Sequence, residues 1–159
     1  MSHREDLLAG AVQCLREKGY AHTTARDIVA ASGTNLASIG YHYGSTKALL
    51  NAAITHPAMG LFLDNAFSSK ESPNENLGRE LLELHTVGRE AGYTEAMVQD
   101  SARILTGYYV DRFKSWKFSY IKARHATGPV RVLGFSHDNS DADGRPMLMK
   151  YLDYLAHHP

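Results

Sequence analysis

Between residues 23 and 50 the apolar positions fall in short bursts at helical spacing, separated by small and polar residues. Thr24 can cap a helix over Ala25–Ala31, with Ile28 and Val29 on its inner face. Ser32–Gly33 then breaks the helix, because glycine takes a positive φ without a Cβ penalty. Asn35 can cap a second helix over Leu36–Tyr43, where Leu36, Ile39 and Tyr43 make one inward stripe at i, i+3, i+7. The opposite face carries Ala37, Ser38, Gly40, Tyr41 and His42, small or polar-tipped residues suited to a groove. A further helix opens at Lys47 and stops near Ile54, ahead of Thr55-His56-Pro57.

Beyond that stop the pattern changes. A short helix is predicted over Pro57–Phe67, a polar loop over residues 68–76, and a helix over 77–87 with Leu77, Leu81 and Leu84 on one face. Thr94 caps a helix over Glu95–Thr106, closed by Gly107, with Val98, Ala102 and Leu105 inward. Residues 116–121 alternate aromatic and polar, and 129–134 form a second strand-like run. Residues 137–144 read as a loop. Pro146 starts a last helix with Leu148, Tyr151, Leu152 and Leu155 inward. The fold class predicted is mainly α with a small β hairpin. A three-helix, helix-turn-helix head (1–55) precedes an α+β appendage (56–159).

The run TTARDIVAASG followed by NLASIGYHYGSTKALL resembles the N-terminal head of TetR-family repressors over about residues 4–54. Thr34 and Thr46 depart mildly from that pattern. The resemblance implies a first helix near Glu5–Lys18, with Leu7, Leu8, Ala11, Val12 and Leu15 facing in. It also implies double-stranded DNA as partner, contacted by Thr24, Asn35, Ala37, Ser38, Tyr41, His42 and Lys47. Tyr41, His42 and Lys47 would meet phosphates, and Asn35, Ala37 and Ser38 would read base edges. Residues 56–159, most specifically NENLGRELLELHTVG, resemble a large uncharacterised bacterial family known as domain of unknown function eighteen-hundred. Its full members are longer and often exported, so this stretch reads as a fragment. The chain as a whole then reads as a chimera joined near Thr55-His56-Pro57. A fragment cut from its neighbours is expected to leave Leu81, Leu84, Leu105, Trp116 and Leu152 incompletely covered, so that the second part recruits a second copy or a protein partner.

Composition narrows the picture. The 159-residue chain has a formal net charge of zero, so no global field draws it to nucleic acid, and local charge must do that work. Its single cysteine, Cys14, cannot form an internal disulfide. The polar start MSHREDLLAG does not read as a signal peptide, and no run reaches membrane-spanning length, so a cytoplasmic protein without a membrane partner is expected.

Three further features carry chemistry. Arg112, Lys114, Lys117, Lys122, Arg124 and Arg131 are interleaved with Phe113, Trp116, Phe118 and Tyr120. Such a mixture can form a secondary nucleic-acid surface, but the favoured reading is a hairpin with its rings in the core and its cations in water. Asn139-x-Asp141-x-Asp143-Gly144 opens like a calcium loop, but its twelfth position is Lys150, of the wrong sign, so a turn is expected and no metal. The nine histidines are scattered without metal-ligand spacing, and Glu83 and His85 do not share a helix face. Neither a catalytic constellation nor a cofactor motif is present, and an enzyme is not expected. The function expected is a DNA-binding transcriptional regulator. The alternatives are a protein-binding, antitoxin-like inhibitor or an inactive chimera.

Overall fold

The computed structural model describes residues 2–19, 22–56, 59, 68–110 and 118–158. It divides into two compact units, Met1–Met59 and Gly60–Pro159. Among the described residues it is mainly α-helical, with two small antiparallel hairpins rather than one.

The first unit contains α1 (His3–Lys18), α2 (Ala25–Ser32), α3 (Leu36–Tyr43) and α4 (Thr46–Ile54). Each begins at a side chain that satisfies an otherwise unpaired N–H of the first turn. Ser2 and Glu5 close a reciprocal box on α1, and Thr24 and Asp27 close another on α2. Asn35 accepts from Ser38 N at 3.0 Å, and Ser45 accepts from Ala48 N at 3.0 Å. Gly33, at φ 66°, ends α2 in the left-handed region. α1 packs against α2 and α4. The core is Leu7, Ala11, Val12, Leu15, Ile28, Ile39, Leu49, Leu50 and Ala53. Leu8 is only half-buried. Cys14 lies within this core, and burial pushes its thiol up from the ordinary value.

Among the described residues of the second unit, the first helix is α5 (Glu75–Glu80), which runs directly into a π-helical turn, Leu81–His85. That turn alters the inward face. A π turn takes more residues per revolution than an α turn. The buried positions become Leu77, Leu81, Leu82 and His85, while Leu84 is 53% exposed. The predicted stripe through Leu84 is thereby corrected. Thr86 closes the turn by donating its hydroxyl to Leu81 O at 2.7 Å.

A 3₁₀ turn at Arg89–Ala91 leads to α6 (Glu95–Ile104), capped by Thr94. α6 ends two residues earlier than predicted, and Ile104 rather than Leu105 is buried there; Leu105 is half-buried. β1 (Tyr108–Val110) pairs with β2 (Phe118–Tyr120), and β3 (Val130–Val132) pairs with β4 (Phe135–His137). The run predicted as one strand over 129–134 therefore contains a turn. Leu133 (φ 49°) and Gly134 (φ 91°) both take positive φ, as the tightest hairpin connections require. Tyr154 donates its hydroxyl to Leu133 O, which holds that turn to α7 (Arg145–Ala156). Pro146 sits in the first turn of α7, and Met147, Leu148, Tyr151, Leu152 and Leu155 are buried. Of the leucines expected to be incompletely covered, Leu81 and Leu152 are fully buried, whereas Leu105 is half-buried and Leu84 exposed. Trp116 and most of the segment predicted as a helix over Pro57–Phe67 lie outside the described residues. No helix among the described residues is long and apolar enough to cross a membrane.

Candidate functional site

α2, its glycine turn and α3 set out the residues singled out for DNA. Thr24 is exposed, but its hydroxyl serves the cap, donating to Asp27 Oδ2 at 2.6 Å and accepting from Asp27 N at 3.2 Å. The Asn35 side-chain oxygen is likewise committed, accepting from both Ser38 N and Ser38 Oγ (3.2 Å). Ser38 is buried. Its hydroxyl is engaged by the Asn35 cap, so base reading by Ser38 would require that contact to open.

What does stand outward is Leu36, Ala37, Gly40 and Tyr41. Leu36 is 52% exposed and Tyr41 86% exposed. The inward stripe predicted through Leu36 is therefore also corrected: Ile39 is buried and Tyr43 half-buried, while Leu36 sits one turn too early to reach the core. Tyr43 fixes α3 by donating its hydroxyl to Arg4 O at 2.9 Å, with the Arg4 guanidinium 5.6 Å from its ring centre. His42 is half-buried with its ring edge-on to Tyr41, centroids 4.9 Å apart. Lys47 is half-buried in the first turn of α4.

The local electrostatics are modest. Basic residues exceed acidic ones by one in Met1–Met59. Lys18 is paired with Asp27 at 2.5 Å. That hydrogen bond, then those from Thr24, hold the Asp27 carboxyl well below the usual carboxylate range. A face built of Leu, Ala, Gly and Tyr thus offers close approach and stacking, with charge only at its margins.

The secondary basic and aromatic surface is only partly described. Arg112, Lys114, Trp116 and Lys117 lie outside the described residues. Arg124 stacks its guanidinium 4.7 Å from the centre of the Tyr109 ring, and Lys122 Nζ lies 3.5 Å from Asp143 Oδ2. These two cations are engaged with neighbours of their own unit. The calcium-like loop is occupied in the same way. Asn139 is buried, and Asp143 is held by the Arg145 guanidinium at 2.5 Å. Two of the carbonyls and carboxylates that a cation would need are thereby spent on protein donors. Sequence reading missed His125, which is buried against Asn139; fourteen residues separate them and no periodic signal connects them.

A family model described as a protein of unknown function (DUF1800) matches residues 22–159. The match begins at residue 22 rather than 56, so α2, α3 and α4 fall inside it, and it runs through Thr55-His56-Pro57 without a break. No curated protein and no solved structure matches the chain.

Proposed function

The chain belongs to the DUF1800 family of proteins of unknown function, and from that premise we propose that its first unit binds duplex DNA through α3, as a TetR-like helix-turn-helix does. In this reading it serves as a cytoplasmic transcriptional regulator, without catalysis. The observation that carries the proposal is the outward face of α3. Ala37 and Gly40 leave room for a groove wall, Tyr41 projects fully, and Lys47 opens the adjacent helix. With little net charge behind that face, binding is weak and depends strongly on salt.

Fluorescence anisotropy of the full chain against a pool of random-sequence duplexes, at about 50 mM and about 200 mM salt, tests the proposal. Binding at the lower salt is expected, and Lys47→Ala and Tyr41→Phe weaken it for every duplex. Absence of binding at low salt, or a Lys47→Ala chain with unchanged affinity and salt slope, overturns it.

A second reading rests on the same face. Leu36 and Tyr41 are large, exposed and uncharged, as protein-contact residues are. A partner protein held there makes the chain an inhibitor of antitoxin type. Binding of that kind survives the higher salt and is lost in Leu36→Asp.

A further inference from the structure

Asn35 caps α3 from an exposed position, on extended backbone at φ −133° and ψ 164°. A side-chain amide ends in an oxygen that only accepts and a nitrogen that only donates. A neighbour fixes which end points where. Ser38 N can only donate, so the atom it meets at 3.0 Å is Oδ1. The Ser38 hydroxyl gives a second hydrogen to the same oxygen at 3.2 Å. A carbonyl oxygen has two lone pairs, and both are thereby engaged. At the other end of the amide, Nδ2 makes no hydrogen bond with any described residue.

The other side chains of that turn add nothing polar outward. Leu36 and Ala37 are exposed and apolar, and Ser38 is buried. The outward side-chain chemistry at the start of α3 is therefore two N–H donors with no free acceptor beside them.

Helix-turn-helix proteins bring this end of the helix to base edges in the major groove. There adenine shows an acceptor at N7 and a donor at N6, whereas guanine shows two acceptors, N7 and O6. An Asn with both amide atoms free pairs with adenine, donating to N7 and accepting from N6. An amide whose oxygen is held by its own helix cannot accept from N6. Against adenine its donors would oppose the N6 donor, and against cytosine they would oppose the N4 donor.

Resting on the reading of α3 as a DNA-binding helix, we infer that Asn35 selects the base and that the base is guanine: the cap holds the amide oxygen, and the Nδ2 hydrogens meet O6 and N7. The contact that starts the helix thus also sets what the helix reads.

Selection of duplexes from a random-sequence pool by the full chain at about 50 mM salt, read by sequencing, tests the inference. One position is expected at which guanine is enriched over adenine roughly five- to tenfold, the lower part of the range for a two-bond base contact. Anisotropy on the selected duplex and on its guanine-to-adenine counterpart measures the same ratio. Asn35→Asp keeps a helix-capping oxygen but has no N–H. Its charge weakens binding to every duplex, and the guanine preference at that position is lost. Ser38→Ala returns one lone pair to the Asn35 oxygen, and the preference narrows as adenine N6 gains an acceptor. Retained binding with no base preference, adenine enriched in place of guanine, or an unchanged ratio in either variant overturns the inference and leaves DNA binding through α3 standing. No binding at that salt removes the DNA reading and this inference together. Should Asn35→Asp not fold, the ratio in Ser38→Ala decides.

Discussion

A β-carbon added at Gly78 would stand 2.6 Å from the carbonyl oxygen of Val98 and 2.7 Å from Ala102 N. α5 and α6 therefore meet backbone to backbone, and only hydrogen fits between them. Gly78→Ala gains about 1 kcal/mol of helix propensity but forces the helices apart, an overpacking cost of about 1–3 kcal/mol or more. Net destabilisation of the second unit is expected, read as a lower midpoint in denaturant at unchanged slope.

The same contact supports a buried polar relay. Ser101 Oγ donates to Gly78 O at 3.2 Å and accepts from Tyr151 OH at 2.9 Å. Burial pushes the Tyr151 phenol far above its ordinary value, so it stays neutral. Ser101→Ala leaves the buried Tyr151 hydroxyl without its acceptor, while Gly78 O keeps its bond from Leu81 N; the variant is expected to cost about 1–3 kcal/mol, whereas Tyr151→Phe costs about 1 kcal/mol. The double variant should be less destabilised than the two costs added, which a double-mutant cycle measures directly.

The π turn makes a sharp distinction between two leucines three residues apart. Leu81 is fully buried and Leu84 is not. Leu81→Ala is expected to lose about 2–5 kcal/mol, and Leu84→Ala to change stability by no more than about 0.5 kcal/mol. Equal losses in thermal unfolding would mean a regular α-helix through this segment.

Acid should act on the first unit through Asp27. Its carboxyl is lowered from an ordinary 3.8 by Lys18 and then Thr24. The contribution is therefore fully present above about pH 4 and is lost as the pH falls below it toward the folded-state value. Asp27→Asn is expected to flatten the acid limb of a stability profile followed at the α1 and α2 amides. An acid limb as steep in the variant as in the native chain counts against this pairing.

Much of the helical frame was legible in the sequence because it is governed by neighbours along the chain. Thr24, Asn35 and Thr94 cap the helices they were expected to cap, and Gly33 ends α2. The apolar stripe of α7 is buried at every predicted position. These features depend on residues three or four apart, where spacing and side-chain type suffice. The candidate site was less legible. The outward positions of Ala37, Gly40 and Tyr41 follow from helical periodicity, but Ser38 is buried and its hydroxyl engaged by the cap.

Other features were decided only when distant segments met. Leu84 left the core because the helix widened to a π turn closed by Thr86, and no periodic count anticipates an extra residue in a turn. β2 falls within the strand predicted over residues 116–121, whereas β1, three residues long, gave no signal of its own and owes its existence to pairing with β2. His125, Thr106 and Asn139 come from three separate connections and look like ordinary loop residues one at a time. Their meaning lies in which donor faces which acceptor. That is a property of burial and distance, and sequence order carries no record of either.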